Sequence, residues 1–103
     1  MNVQMKKGVL EMCILHMVAE QEPYGYEILK SMNQFFPEVD QSTVYAILRR
    51  LNADDSTETY LGDASNGPPR KYYRITDTGK VYLKSCIDDW KQLNQTINQI
   101  GIL

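Results

Sequence analysis

The spacing of apolar residues changes twice along this chain of 103 residues, and these changes restrict the fold more than any other feature. Up to about residue 53, apolar side chains recur every three or four positions, as on the buried face of an amphipathic helix. Between residues 57 and 75, side chains of different character alternate, as in strands. Beyond residue 76 the helical spacing returns in one long run. The sequence therefore predicts a mainly α fold with a small β-hairpin before its last helix.

Three helices are predicted before the hairpin. The first covers about residues 6–20 and ends before Pro23, which is tolerated in the first turn of a second helix. Gly25 is costly within a helix, so we expect it to permit the close approach of another backbone. Pro37 ends the second helix, and the carboxylate of Asp40 is expected to cap the third.

The third helix has two different faces. Its apolar stripe, which must face the core, consists of Val44, Ile47, Leu48 and Leu51. The opposite side is small, hydroxylic and cationic, with Ser42, Ala46, Arg49 and Ala53 in its centre and with Tyr45 and Arg50 on its flanks. Such a face fits a groove lined with phosphates and base edges. A solvated helix face would carry the same residues, so two interpretations stay open.

The charge of the chain is unevenly distributed. The formal net charge is -2, yet residues 70–80 contain Arg70, Lys71, Arg74 and Lys80 against the single acid Asp77. A polyanion responds to the local potential, so this basic segment is a second candidate for contact with nucleic acid. The alternative is a hairpin that neutralises itself through cross-strand ion pairs. Residues 62–69 between the strands are turn formers and predict an exposed tip.

Catalytic and metal-binding constellations are missing from the sequence. The single His16 lies among apolar residues and is expected to be packed or at a helix edge. Cys13 and Cys86 are far apart in apolar surroundings, which predicts buried, reduced thiols and not a disulfide or a zinc site. No apolar run approaches the length of a membrane span, and the first residues lack the pattern of a secretory signal. We therefore predict a cytoplasmic, non-enzymatic protein without cofactor or metal.

The last helix carries the spacing of a coiled coil. Thr76 can cap it, and apolar residues then follow three and four positions apart: Leu83, Cys86, Trp90, Leu93, Ile97 and Ile100. We call these six residues the seam. The other predicted elements have each other to pack on, so the seam is expected to contact a partner subunit. Packing of the seam within its own monomer is the alternative.

Resemblance to a known family is carried by four segments: KGVLEMCILHMV, PYGYEILKSM, STVYAILRRL and GPPRKYYRIT. In this order and spacing they resemble the PadR family of bacterial transcriptional regulators, over about residues 6–80. YGYEI and PPRKYYR are the specific pieces. The resemblance implies a winged helix-turn-helix domain over residues 1–76 and a C-terminal dimerisation helix over residues 77–103. Its implied function is a dimeric repressor that binds a palindromic operator in double-stranded DNA.

The resemblance also implies roles for individual residues. The third helix would enter the major groove with Ser42, Thr43, Tyr45 and Arg49. The hairpin, or wing, would place Arg70 and Lys71 near phosphate or the minor groove, and Lys6 and Lys7 would lie near the flanking backbone. Some short members bind flat hydrophobic compounds between subunits with a tryptophan of this helix. Trp90 would then hold the dimer and stack on a small aromatic effector that releases DNA; packing alone is the other role.

The chain departs from the family pattern after the third helix. Relatives carry an acidic residue, a glycine and a large apolar residue there, where this chain has Asp54, Asp55 and Ser56. Aspartate adopts left-handed backbone geometry less easily than glycine, so we expect a looser or differently connected helix end, and the orientation of the wing stays open. A winged-helix protein-interaction module without DNA binding is the alternative function.

Overall fold

The computed structural model describes residues 3–62 and 67–102, without the side chains of residues 3–5 and Lys7. Its elements follow in the predicted order: α1 (Val3–Gln21), α2 (Gly25–Phe35), α3 (Gln41–Ala53), β1 (Thr57–Gly62), β2 (Arg70–Ile75) and α4 (Asp77–Ile100). The two strands form an antiparallel sheet in which Thr57 pairs with Ile75 and Gly62 with Arg70. The prediction of a mainly α winged helix-turn-helix with an additional C-terminal helix is therefore confirmed.

A single apolar core joins the helices and the hairpin. α1 contributes Ile14, Leu15 and Val18, whose side chains are fully or almost fully buried. The predicted stripe of α3 is buried as well, and Ser42, Ala46, Arg49 and Ala53 are exposed on its other side. Burial of the stripe fixes the rotation of α3 about its axis, because apolar area is removed from water only in this orientation. The hydroxylic and cationic face consequently points outward.

Two predictions about the starts of helices are wrong. Gly25 opens α2, and the atoms nearest to a Cβ built there belong to the side chains of Tyr45, at 3.4 Å, and Tyr73, at 3.8 Å. These are ordinary contact distances to tyrosine rings, and the nearest atoms do not belong to a backbone. Asp40 is the residue before α3, but its carboxylate makes no capping bond. Its main-chain carbonyl already accepts from the Thr43 N–H at 3.1 Å, one of the donors open to such a cap.

The end of α3 is regular, so the expected loosening is wrong. The Ser56 N–H donates to the Leu51 carbonyl at 2.9 Å, and the Asp55 N–H donates to the Asn52 carbonyl at 3.2 Å. These are the two bonds of a Schellman motif. Asp55 takes the left-handed position with φ of 60°. Ser56 follows and is buried.

Asp55→Gly is expected to stabilise the chain by about 0.5–1 kcal/mol, because glycine avoids the steric cost of a Cβ in left-handed backbone. Thermal unfolding at fixed protein concentration measures the effect. The matched control is Asp54→Gly, since Asp54 has φ of -86° and gains nothing from glycine. This control is expected to lower stability through the greater freedom of the unfolded chain. Equal shifts for both variants would contradict the assignment of strain to Asp55.

The final helix begins at the predicted cap, where Thr76 Oγ1 accepts from the Gly79 N–H at 2.9 Å. Of the seam, Leu83 packs into the core, whereas Trp90 is 46% exposed, Leu93 59% and Ile100 70%. Packing within the monomer thus covers only the beginning of the seam. Cys13 and Cys86 are unpaired, as predicted, but half-buried and not buried. Neighbouring residues cover the Cys13 thiol only in part, and this burial raises its pKa.

Candidate nucleic-acid interface

The two adjacent arginines of α3 have different environments. Arg49 is exposed and forms no ion pair with any residue that the structure describes. Arg50 forms an ion pair with Glu11 of α1. Glu11 is buried and also accepts a hydrogen bond of 2.7 Å from the Tyr82 hydroxyl of α4. Arg50 therefore connects α3 to α1 and α4, and Arg49 is the cation available to a ligand.

Sequence reasoning missed Glu11, although a signal for it existed. A glutamate within the apolar run VLEMC of α1 must either leave the core or find a cationic partner, because a buried unpaired carboxylate is costly. Arg50 lies on the flank of the α3 stripe, close enough to the core to be that partner. The ion pair with Glu11 turns the Arg50 guanidinium toward α1.

The other α3 residues predicted to contact DNA also differ in their exposure. Ser42 and Thr43 are exposed in the first turn. Tyr45 is half-buried and packs against the core, and its ring lies over Gly25. Contact of Tyr45 with DNA stays a prediction, limited to the part of the ring that remains exposed.

The wing brings a second set of cations toward α3. Lys71 Nζ lies 5.9 Å from the centre of the Tyr73 ring. Burial raises the pKa of the Tyr73 hydroxyl, and the nearby positive charge of Arg49 opposes this shift. Arg49 and Lys71 are thus neighbours of the same tyrosine. Sequence reasoning did not single out Tyr73, whose ring lies beside Gly25 and near the charges of Arg49 and Lys71.

Arg70 and Arg74 occupy the other face of the wing. The guanidinium carbon of Arg70 lies 4.5 Å from the centre of the Tyr24 ring. Arg74 donates to the Glu58 carboxylate at 2.9 Å, across the two strands. Among the residues described, only this ion pair agrees with a self-neutralising hairpin. Arg70 and Lys71 keep their charges for an external anion.

The predicted contribution of the α1 lysines is restricted by an ion pair. Lys6 Nζ lies 2.6 Å from Glu38 Oε1, and the Lys6 side chain is almost fully buried. This hydrogen bond lowers the pKa of the Glu38 carboxyl. A phosphate would have to compete with Glu38 for Lys6. The side chain of Lys7 lies outside the described residues, so both DNA contacts stay predictions.

Metal-binding clusters and membrane-spanning helices are absent from the part of the chain that the structure describes. Residues 3–62 and 67–102 contain no cluster of three or more histidine, cysteine, aspartate or glutamate side chains that could bind a metal ion. His16 is exposed at the edge of α1, 3.8 Å from Glu20. None of the helices described has the length and apolar character needed to cross a membrane.

Known proteins resemble the chain along most of its length. Residues 14–85 match the model of the transcriptional regulator PadR-like family. A PadR-like transcriptional regulator from Bacillus cereus is 39% identical with a TM-score of 0.85, over 94% of this chain and 95% of that one. A PadR-like transcription factor from Bacteroides fragilis is 36% identical with a TM-score of 0.80, over 95% of each chain. An uncharacterized protein of Lysinibacillus sphaericus is 38% identical, over 89% of this chain and 87% of that protein.

Proposed function

Because the chain belongs to the PadR-like family of transcriptional regulators, and is a DNA-binding protein and not an enzyme, we propose that it acts as a homodimeric repressor. Its ligand is a palindromic operator in double-stranded DNA. The observation that carries this proposal is the outward face of α3, where exposed Ser42 and Thr43 lead to an Arg49 without an intramolecular ion pair among the described residues. A second copy related by two-fold symmetry reads the second half-site.

Each residue of the proposed interface has a defined role in DNA binding. Ser42 and Thr43 lie at the N-terminal turn of α3, the part of such a helix that contacts base edges. Arg49 binds guanine or phosphate one to two turns further along. Arg70 and Lys71 on the wing bind phosphates, and Tyr45, Lys6 and Lys7 make secondary contacts. We divide the chain into a DNA-binding domain, residues 1–76, and a dimerisation helix, residues 77–103.

The proposed dimer uses the exposed part of the seam. α4 has 24 residues, so it is about 36 Å long and extends past the core. Next to it lies an apolar groove of about 430 Å³ between α1, the end of α2 and α4, lined by residues that include Met12, Met17, Phe36 and Ile87. The occupant that we propose for this groove is the distal seam of a second copy. Trp90, Leu93 and Ile100 supply the apolar surface that such a groove would bury.

Trp90 also supports a proposed effector site. Its ring is half-exposed in an apolar seam, so a planar apolar compound between the subunits can stack on it. The effector would release DNA by changing the separation of the two α3 helices. Release requires that the compound bind the two arrangements of the dimer with different affinity. A cytoplasmic location follows from this role in transcription.

Arg49→Ala is expected to weaken operator binding by about 1–3 kcal/mol, because a good arginine contact to a base edge contributes that much discrimination. Fluorescence anisotropy with the protein's own upstream DNA and with random DNA, at several salt concentrations, measures the change. The control is Lys84→Ala, which removes an exposed cation of α4 that pairs with Asp88. Lys84→Ala should leave both affinities unchanged.

The same titration separates the alternatives. Weakening on the operator alone assigns Arg49 to a base, and equal weakening on all DNA assigns it to phosphate. Affinity of the unaltered protein should fall steeply with added salt. A flat salt response without a footprint would contradict the proposal and favour a protein-interaction module.

A further inference from the structure

The outer face of the wing carries a continuous row of cations and aromatic rings. On this face the cross-strand pairs are Glu58–Arg74, Tyr60–Tyr72 and Gly62–Arg70. The rings of Tyr60 and Tyr72 stack with centres 5.5 Å apart and planes 14° apart. The Arg74 guanidinium lies 4.9 Å above the centre of the Tyr60 ring. The row therefore begins with an arginine at the end of β2 that leads into α4.

Tyr24 extends this row from outside the hairpin. Its ring meets Tyr72 edge-on at 5.7 Å, and Arg70 lies over its face. The backbones are joined too, by an antiparallel bridge between Tyr24 and Tyr72 and by a hydrogen bond of 2.9 Å from the Tyr73 N–H to the Pro23 carbonyl. The linker between α1 and α2 thus pairs with β2 as a very short third strand of the wing. Arg70, the first residue of β2, is therefore stacked on Tyr24, which lies outside the hairpin.

Two further contacts fix the rings of this row. A Cβ at Gly62 would overlap the Tyr72 ring, so glycine allows this ring to lie across β1. The Tyr60 hydroxyl donates to Glu22 Oε1 at 3.0 Å, which ties the other end of the row to the same linker. Tyr72 is consequently confined between Tyr24 and Tyr60. The face of Tyr24 that Arg70 covers is held in a defined orientation.

We propose that Tyr24 is a positioning residue for DNA binding, which holds the Arg70 guanidinium on its ring in the orientation that contacts phosphate. An arginine on a solvent-exposed wing loses side-chain freedom when it binds DNA, and a ring that already confines it removes part of that cost. The cation–π contact provides the confinement without neutralising the charge. A carboxylate partner, as Arg74 has in Glu58, would compete with phosphate. This inference rests on the proposed contact between the wing and DNA.

A double-mutant cycle tests the coupling between the two residues. Arg70→Ala should weaken operator binding and lower the salt slope by about one unit, as expected for one phosphate contact. Tyr24→Leu should weaken binding about three- to tenfold by freeing Arg70. The double variant should bind no more weakly than Arg70→Ala, since Tyr24 acts only through Arg70. Tyr24→Phe keeps the ring and should bind as the unaltered protein does.

Combining Tyr24→Leu with Arg49→Ala is the control for a general structural effect of Tyr24 on the DNA-binding surface. Arg49 lies on α3, away from the outer face of the wing, so the effects of Tyr24→Leu and Arg49→Ala should add. If leucine unfolds the chain, as judged by circular dichroism, Tyr24→Met retains a side chain of similar length without an aromatic face and replaces it in the cycle.

The outcomes separate this inference from the proposed function. An unchanged affinity and salt slope in Arg70→Ala would remove Arg70 from the interface and overturn this inference, whereas the proposed operator binding through α3 would stand. If Arg70→Ala weakens binding but loss of the Tyr24 ring weakens it equally with and without Arg70, only the positioning role is overturned. A Tyr24→Leu variant that binds DNA as tightly as the unaltered protein overturns it as well.

Discussion

Gly79→Ala is expected to destabilise the folded chain by about 3 kcal/mol or more, a large part of the stability of an ordinary domain. Gly79 is buried in the first turn of α4. A Cβ at this position would overlap the main-chain carbonyl oxygen of Ser56 and would lie 2.8 Å from Ile75 Cγ1. The carbonyl belongs to the backbone, so no change of side-chain rotamer relieves the overlap. Either α4 or the connection from α3 to β1 has to move.

Movement of Ser56 would break a junction of three elements. Its carbonyl accepts from both the Thr76 N–H and the Thr76 hydroxyl, each at 3.1 Å. Thr76 in turn caps α4 through Gly79. The clash therefore affects the end of α3, the end of the wing and the start of α4 together. Urea unfolding at fixed protein concentration measures the loss.

Gly8→Ala is the matched control for this prediction. Gly8 is exposed within α1, and beyond the backbone of its own helix a Cβ there would meet no described atom within 4 Å. Alanine should stabilise the helix by about 0.5–1 kcal/mol, because glycine in a helix costs backbone entropy. The two glycines thus predict changes of opposite sign. A Gly79→Ala variant as stable as the unaltered chain would show that the Ser56 segment moves without cost.

The elements that sequence predicted correctly depend on local patterns. The stripe from Val44 to Leu51 is buried because its spacing matches the helical repeat, whatever it packs against. Likewise, the alternation in Thr57–Gly62 and Arg70–Ile75 specified strands. The Thr76 cap needs only the three residues that follow it. Each of these predictions concerns residues close together in the chain.

Pairings between distant residues could not be predicted in this way. Helix spacing places Arg49 opposite the apolar stripe and Arg50 on its flank, but it does not specify that Arg50 pairs with Glu11 on α1. The family resemblance places Lys6 near DNA, but Glu38, 32 positions away, is its partner in the folded chain. Tyr24 and Arg70 meet because β2 packs against the linker between α1 and α2. Such contacts depend on how the elements are packed, which residue spacing does not specify.

The connection after α3 shows a different limit of prediction from the sequence. Comparison with the family pattern predicted a looser or differently connected helix end because glycine is replaced by Asp55. The stabilising bonds of a Schellman motif come from backbone groups, however, and aspartate can adopt the left-handed geometry at a modest cost. Residue type therefore changes the energy of this turn without abolishing its geometry.

Trp90→Ala is expected to raise the dissociation constant of the proposed dimer at least a hundredfold. A two-fold symmetric interface loses the ring twice, and a central tryptophan of an interface contributes about 2 kcal/mol or more each time. The ring is 46% exposed in the single chain, so a partner has that surface to bury. Sedimentation velocity across a range of protein concentrations measures the dissociation. An unchanged dimer at micromolar protein would refute this role of Trp90.

Val81→Ala is the matched control on the same helix. Val81 is 72% exposed and precedes Trp90 by nine residues, which at about 100° per residue places it on the opposite side of α4. Removing this apolar side chain should leave the dissociation constant unchanged. Equal dissociation of both variants would indicate a general effect on α4 and not an interface at the seam.

Trp90 is the only tryptophan, so its emission reports on the proposed effector site without labelling. Planar cationic and neutral dyes, titrated into the unaltered dimer, should quench this emission and weaken operator binding over the same range of concentration. Coincidence of the two curves is expected because the dye has to bind the DNA-releasing arrangement more tightly than the DNA-binding one. Quenching at unchanged DNA affinity would leave Trp90 as a binding site without a switch, since equal affinity for both arrangements shifts neither.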